Sequence, residues 1–183
     1  MHSLSAWLAR WQQLPPRTRF LVGAAGLYLL WLLVYEGWMG PDGRLDGWLS
    51  NNVAAASAGL LRGLSFAATV GADAPWVLHM DGVPAVSVGA PCNGLALYAL
   101  FAGFIAVFPG PSRPKRWFIP LGIALIYLLN IGRVAALALN HHYAHRTVDF
   151  NHHYTFTFVV YACIAALWVR WVRWYGSPAA LDA

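Results

Sequence analysis

The sequence predicts an all-α polytopic membrane protein with about four transmembrane helices, an interfacial helix and a short extracytoplasmic β-hairpin, in a single integral membrane domain over 1–183. Three observations predict it. Of the 183 residues, 59% are hydrophobic and only 10% charged, which is membrane composition. Stretches that supply the ~20 apolar residues a bilayer-spanning helix needs lie at about 19–38, 117–139 and 153–172, and a fourth at about 92–108 is just long enough. Finally, the basic residues sit in separate clusters beside these stretches rather than in one nucleic-acid-binding patch. They are Arg10, Arg17 and Arg19, then Arg113, Lys115 and Arg116, then Arg170 and Arg173. Cytoplasmic flanks of spans collect Lys and Arg, so topology explains a net charge of +5.

The first span, about 19–38, is too long for a signal-peptide core and has no convincing small-residue cleavage site, so it is expected to stay as an anchor. "LPPRTR" ahead of it reads as a short joint. Residues 53–70 read as another span by apolarity, within a stretch of 45–70. A crossing there would put the "PSRPKRW" loop on the side opposite both termini, so the stretch is expected to form an interfacial or re-entrant helix. Arg62, Asn52, Ser57, Ser65 and Thr69 suit a helix lying partly in the headgroups. Next, β-formers alternate around Asp81-Gly82 over 76–91, the pattern of a tight hairpin. The spans at 92–108, 117–139 and 153–172 follow, and both termini fall in the cytoplasm.

With that topology three groups meet on the outer side. Cys92, in "GAPCNGLALYAL", opens the second span, where unpaired N–H groups and the helix dipole favour an anion. Cys163, mid-span in "YACIAAL", has no polar neighbour. It lies some ten residues down its helix, roughly 15 Å at helical rise, beyond disulfide reach of Cys92. In "IYLLNIGRVAALAL", Arg133 costs at least ~2.5 kcal/mol inside an apolar span, and Asn130, three residues earlier, shares its helix face. The pair is expected to point into the bundle, with Glu36, the only glutamate of the chain, as the counter-ion of Arg133. His152 and His153 open the last span. A cysteine, a histidine base and an arginine at the oxyanion make a complete set for acyl transfer.

The order "PCNGL", "NIGR", "FNHHYTF", each at the outer end of a span, resembles the exosortase and archaeosortase family of polytopic membrane cysteine transpeptidases, in a short form. The likeness covers roughly residues 75–172. It implies a membrane-embedded cysteine protease or transpeptidase, a hydrolase of the prokaryotic inner membrane. Such an enzyme cleaves the C-terminal sorting signal of exported proteins, made of a short motif, a transmembrane helix and a basic tail. By motif, Cys92 is the nucleophile, Arg133 the oxyanion stabiliser, the histidine the general acid/base, and Asn130 positions the Arg133 side chain. The choice between His152 and His153 stays open, with His152 preferred as the more loop-like. The resemblance implies no metal and no cofactor, and as partners only the exported substrates and membrane lipid.

Two rival classes remain. "HHYAHRTVDFNHH" offers His141, His145, Asp149 and His152 to a zinc, or histidines to a haem, although adjacent histidines on a helix point apart and a b-type haem needs histidines deep in different spans. In a non-catalytic assembly subunit, Asn130 and Arg133 would only join helices.

Overall fold

The computed structural model describes residues 13–144 and 156–175. The chain is mostly helical, with one small three-stranded sheet. Helix α1, Pro16–Asp42, starts on a proline that its first turn tolerates and changes to π-helix over Leu32–Met39. Gly43, at φ +67°, ends α1 and leads into α2, Arg44–Gly63. Strands β1 (Ala68–Val70), β2 (Val77–Met80) and β3 (Val83–Ser87) follow, then a 3-10 turn, Ala90–Cys92. Helices α3 (Leu95–Val107), α4 (Ser112–Tyr143) and α5 (Phe156–Tyr175) complete the order.

Helices α1 and α4 are long and apolar enough to cross a membrane, and the apolar stretch of α1 has none of its residues buried against the rest of the chain. At 32 residues α4 is about 48 Å long, so it outruns a ~30 Å hydrocarbon core. It is therefore longer than the expected 117–139, and Arg133 stands ten residues before its last residue rather than near an end. The expected span at 92–108 is shorter in the structure. Residue 92 closes the 3-10 turn and 93–94 precede the helix, so the 13 residues of α3 reach only about 20 Å.

The expected helix over 45–70 is corrected at its C-terminal end. It stops at Gly63, where Phe66 N–H bonds back to Leu61 O at 3.0 Å and Ser65 adopts φ +69°. Beyond that point Thr69 and Val70, both β-formers, pair with β2. Asp46, Leu49, Ser50, Val53, Ala54, Ser57, Ala58 and Leu61 recur every three or four residues and form a buried face against α4 and the sheet. Small side chains let α2 and α4 approach closely, and Ser57 Oγ donates to Val53 O at 2.8 Å and to Ile131 O of α4 at 3.3 Å. Arg62 donates to Ala68 O at 3.2 Å.

The hairpin forms as the Asp-Gly pair predicts, with Asp81 and Gly82 both at positive φ, and β1 adds a third antiparallel strand that the sequence reading had placed in the helix. Pro84 lies in β3, an edge strand, where a missing N–H is tolerated. Leu78, Met80 and Ala68 pack on Ala58 and Leu61 of α2 and Ala135 and Ala138 of α4. Nε2 of His142, near the end of α4, lies 3.2 Å from Oδ2 of Asp81 in the hairpin turn.

Helices α1, α3, α4 and α5 alternate in direction. Near the start of α1, Phe20 packs edge-on to Phe104 and Phe108 at the end of α3. Lys115, at the start of α4, donates to Ala106 O at 2.8 Å and Phe108 O at 2.7 Å, closing the carbonyl end of α3. Phe118 of α4 lies 5.0 Å from Trp171 near the end of α5. Thus Arg17, Arg19, Arg113, Lys115, Arg116, Arg170 and Arg173 gather at one end of the molecule. The sheet, the 3-10 turn and the end of α4 form the other.

Candidate functional site

At the end opposite the basic residues, Cys92 closes the 3-10 turn, with Asn93 and Gly94 between it and α3. It is therefore just ahead of the helix rather than in its first turn. Its N–H donates to Gly89 O at 2.9 Å, and its carbonyl accepts Asn130 Nδ2 at 2.9 Å. One turn further along α4, Nη2 of Arg133 stands 3.9 Å from Cys92 Sγ. The three-residue spacing of Asn130 and Arg133 brings both to one thiol-bearing residue.

The role expected of Asn130 changes. It holds the Cys92 peptide, not the Arg133 side chain. Arg133 Nε and Asn130 Oδ1 are both buried without a hydrogen-bond partner among the described residues. Glu36 is also not the counter-ion of Arg133, for its carboxylate accepts the indole N–H of Trp31 at 3.3 Å on the exposed side of α1. Arg133 instead lines a groove of about 390 Å³ with Leu125, Leu128, Leu129 and Gly132 of α4 and Val159 and Val160 of α5.

The geometry suits a particular chemistry. An oxyanion formed on a carbon attacked by Sγ lies beside the sulfur, and donors stabilise such an oxygen from about 2.7–3.1 Å. A guanidinium 3.9 Å from Sγ is placed to reach that position.

Beneath the thiol lies a polar network that sequence reasoning missed. Asn93, fully buried, donates from Nδ2 to Asp46 Oδ1 at 2.6 Å and accepts Leu95 N–H on Oδ1 at 2.9 Å. Asp46 accepts the Tyr35 hydroxyl on its other oxygen at 3.0 Å, and Tyr98 donates its hydroxyl to Asn93 O at 3.3 Å. The signal for Asp46 was its place in the i, i+3, i+4 series with Leu49, Ser50 and Val53, which puts a carboxylate on the buried face of α2.

His152 and His153 lie outside the described residues, as do His145 and Asp149 of the rival metal set. Neither cysteine is in a disulfide, and Cys163 is half-buried on α5. Among the described residues, no group of three or more His, Cys, Asp and Glu is placed to hold a metal ion. Compared with protein-family models, curated proteins and solved structures, the chain matches none.

Proposed function

We propose that the protein is a membrane-embedded cysteine transpeptidase or protease of the exosortase kind, which cleaves the C-terminal sorting signal of exported proteins through a thioester on Cys92. The observation that carries the reading is the approach of Arg133 Nη2 to within 3.9 Å of Cys92 Sγ, on a residue whose carbonyl Asn130 holds. A part-buried arginine held against a thiol inside an apolar helix is costly unless it is used. The order of motifs that resembles the family supports the same reading.

In the proposed reaction, the Cys92 thiolate attacks the scissile carbonyl carbon and a C–S bond forms. Arg133 binds the tetrahedral oxyanion. As the C–N bond breaks, His152, or His153 beside it, protonates the leaving amine, and the substrate's transmembrane tail departs with it. The acyl group remains as a thioester, which an amine acceptor or water then resolves, returning the thiol. The proposed setting is the inner membrane of a prokaryote. Both termini lie in the cytoplasm and Cys92 on the outer side.

The test is processing of a tagged exported protein bearing a motif, a transmembrane helix and a basic tail. Co-expression with the wild-type protein should remove the tail, and Cys92→Ala should abolish removal while the enzyme remains inserted and abundant. Cys163→Ala should process at the parent rate. Processing by Cys92→Ala at the wild-type rate would end the reading.

A further inference from the structure

Asp46 is 8% exposed and forms no ion pair among the described residues. A carboxylate in such a place costs more than an apolar side chain of similar size unless its acceptors are used. Both are used. Oδ1 takes Asn93 Nδ2 at 2.6 Å and Oδ2 takes the Tyr35 hydroxyl at 3.0 Å. The Asn93 amide has only one orientation compatible with its neighbours, because Oδ1 accepts Leu95 N–H at 2.9 Å and leaves Nδ2 to donate.

The consequence falls on the cysteine. Cys92 N–H is bonded to Gly89 O, Cys92 O to Asn130, and Asn93 O to Tyr98. Once Asp46 fixes the Asn93 side chain, the backbone on both sides of the Cys92–Asn93 peptide is held from α2, α3 and α4. Rotation about χ1 is then the main freedom left to Sγ.

We propose that Asp46 is a positioning residue that, acting through Asn93 and braced by Tyr35, holds the Cys92 backbone so that the thiol faces Arg133. The proposal rests on the reading of Cys92 as a nucleophile. It adds a residue from α2 that no motif in the chain marks.

The test measures coupling between Arg133 and the thiol, which loosening of the fold alone would not reproduce. In a full-length Cys163→Ala background Cys92 is the sole thiol of the chain's two, and its alkylation by N-ethylmaleimide is followed in membranes. There Arg133→Gln should slow alkylation about tenfold, the scale on which a neighbouring cation changes thiol reactivity. In Asp46→Leu the same change should have less than a roughly twofold effect, because the guanidinium and thiol no longer face each other. Asn93→Asp alone should uncouple them as well, by setting two carboxylates against each other. The pair Asp46→Asn/Asn93→Asp should restore the dependence. Its amide donates from position 46 and its carboxylate accepts at position 93, while Leu95 N–H and the Tyr35 hydroxyl keep acceptors.

A full-sized Arg133 effect in Asp46→Leu overturns the proposal. So does the absence of any Arg133 effect in the parent, or a reciprocal pair no better than Asn93→Asp. If Asp46→Leu does not accumulate, Asn93→Asp and the reciprocal pair decide. Restored coupling in a protein that processes no tagged substrate leaves the positioning role standing and removes the sorting function.

Discussion

Arg133 meets Cys92 because α4 carries Asn130 one turn before it, and that asparagine takes the Cys92 carbonyl and so fixes which side of α4 the thiol sees. Lysine does not substitute for an arginine in such a place. Its ammonium is a compact, strongly hydrated point charge, whereas the guanidinium offers a planar fork of donors. Arg133→Lys is therefore expected to lose most processing, and Arg133→Ala to lose about 10²–10³-fold or more, the usual cost of removing an oxyanion donor. Rates of tagged-substrate processing, read at equal enzyme abundance, check this. Near-wild-type turnover by Arg133→Lys would mean that only charge is needed there. In the same assay His152→Ala should be severe and His153→Ala milder, since His152 stands one residue further in sequence from the apolar run of the last span.

At the scale of elements, the sequence revealed what periodicity and turn chemistry control. The apolar runs became α1, α4 and α5, and Asp81-Gly82 became the hairpin turn. Asn130 and Arg133 were legible as one face of one helix. What was not legible depended on tertiary partners. Thr69 and Val70 leave the helical pattern only because β2 is there to pair with them, and Asp46 looks like a helix-start acid until Asn93 and Tyr35 arrive from distant elements. Gly94 shows the same dependence in a testable form. It sits at φ +90°, and a Cβ there would lie 2.6 Å from the Tyr98 hydroxyl, whereas Gly82, at φ +79°, has open space around it. An L-residue in the left-handed region costs roughly 1–2 kcal/mol by conformation alone. Gly82→Ala should lower the thermal midpoint of the detergent-solubilised protein by that conformational cost only. Gly94→Ala should lower it further, because it also displaces the hydroxyl that holds Asn93. Equal shifts would show that the Tyr98 contact contributes nothing.

For the whole molecule, the decisive feature is the separation of its two ends. The starts of α1 and α4 and the ends of α3 and α5 come together around Phe20, Phe108, Lys115 and Trp171, and the basic residues come with them. The sheet and the His142–Asp81 pair occupy the opposite end of α4, and Cys92 meets Asn130 and Arg133 in the half of α4 towards that end. Lys and Arg are retained on the cytoplasmic side of short loops, so the proposed orientation puts the basic end inside and the thiol outside. A cysteine scan in the Cys92→Ala/Cys163→Ala chain tests the orientation. Val83→Cys, on the exposed edge strand, should react with a membrane-impermeant maleimide in intact cells. Ser112→Cys, at the first residue of α4, should react only after permeabilisation. Because α4 is a single helix of about 48 Å with these two positions near its opposite ends, no local rearrangement can bring both to one side. Labelling of both from outside would mean that α4 does not cross the membrane, and an exported substrate could then not be what reaches Cys92. Labelling of Ser112→Cys alone would invert the protein and place the thiol in the cytoplasm, where a sorting signal on an exported chain is out of reach.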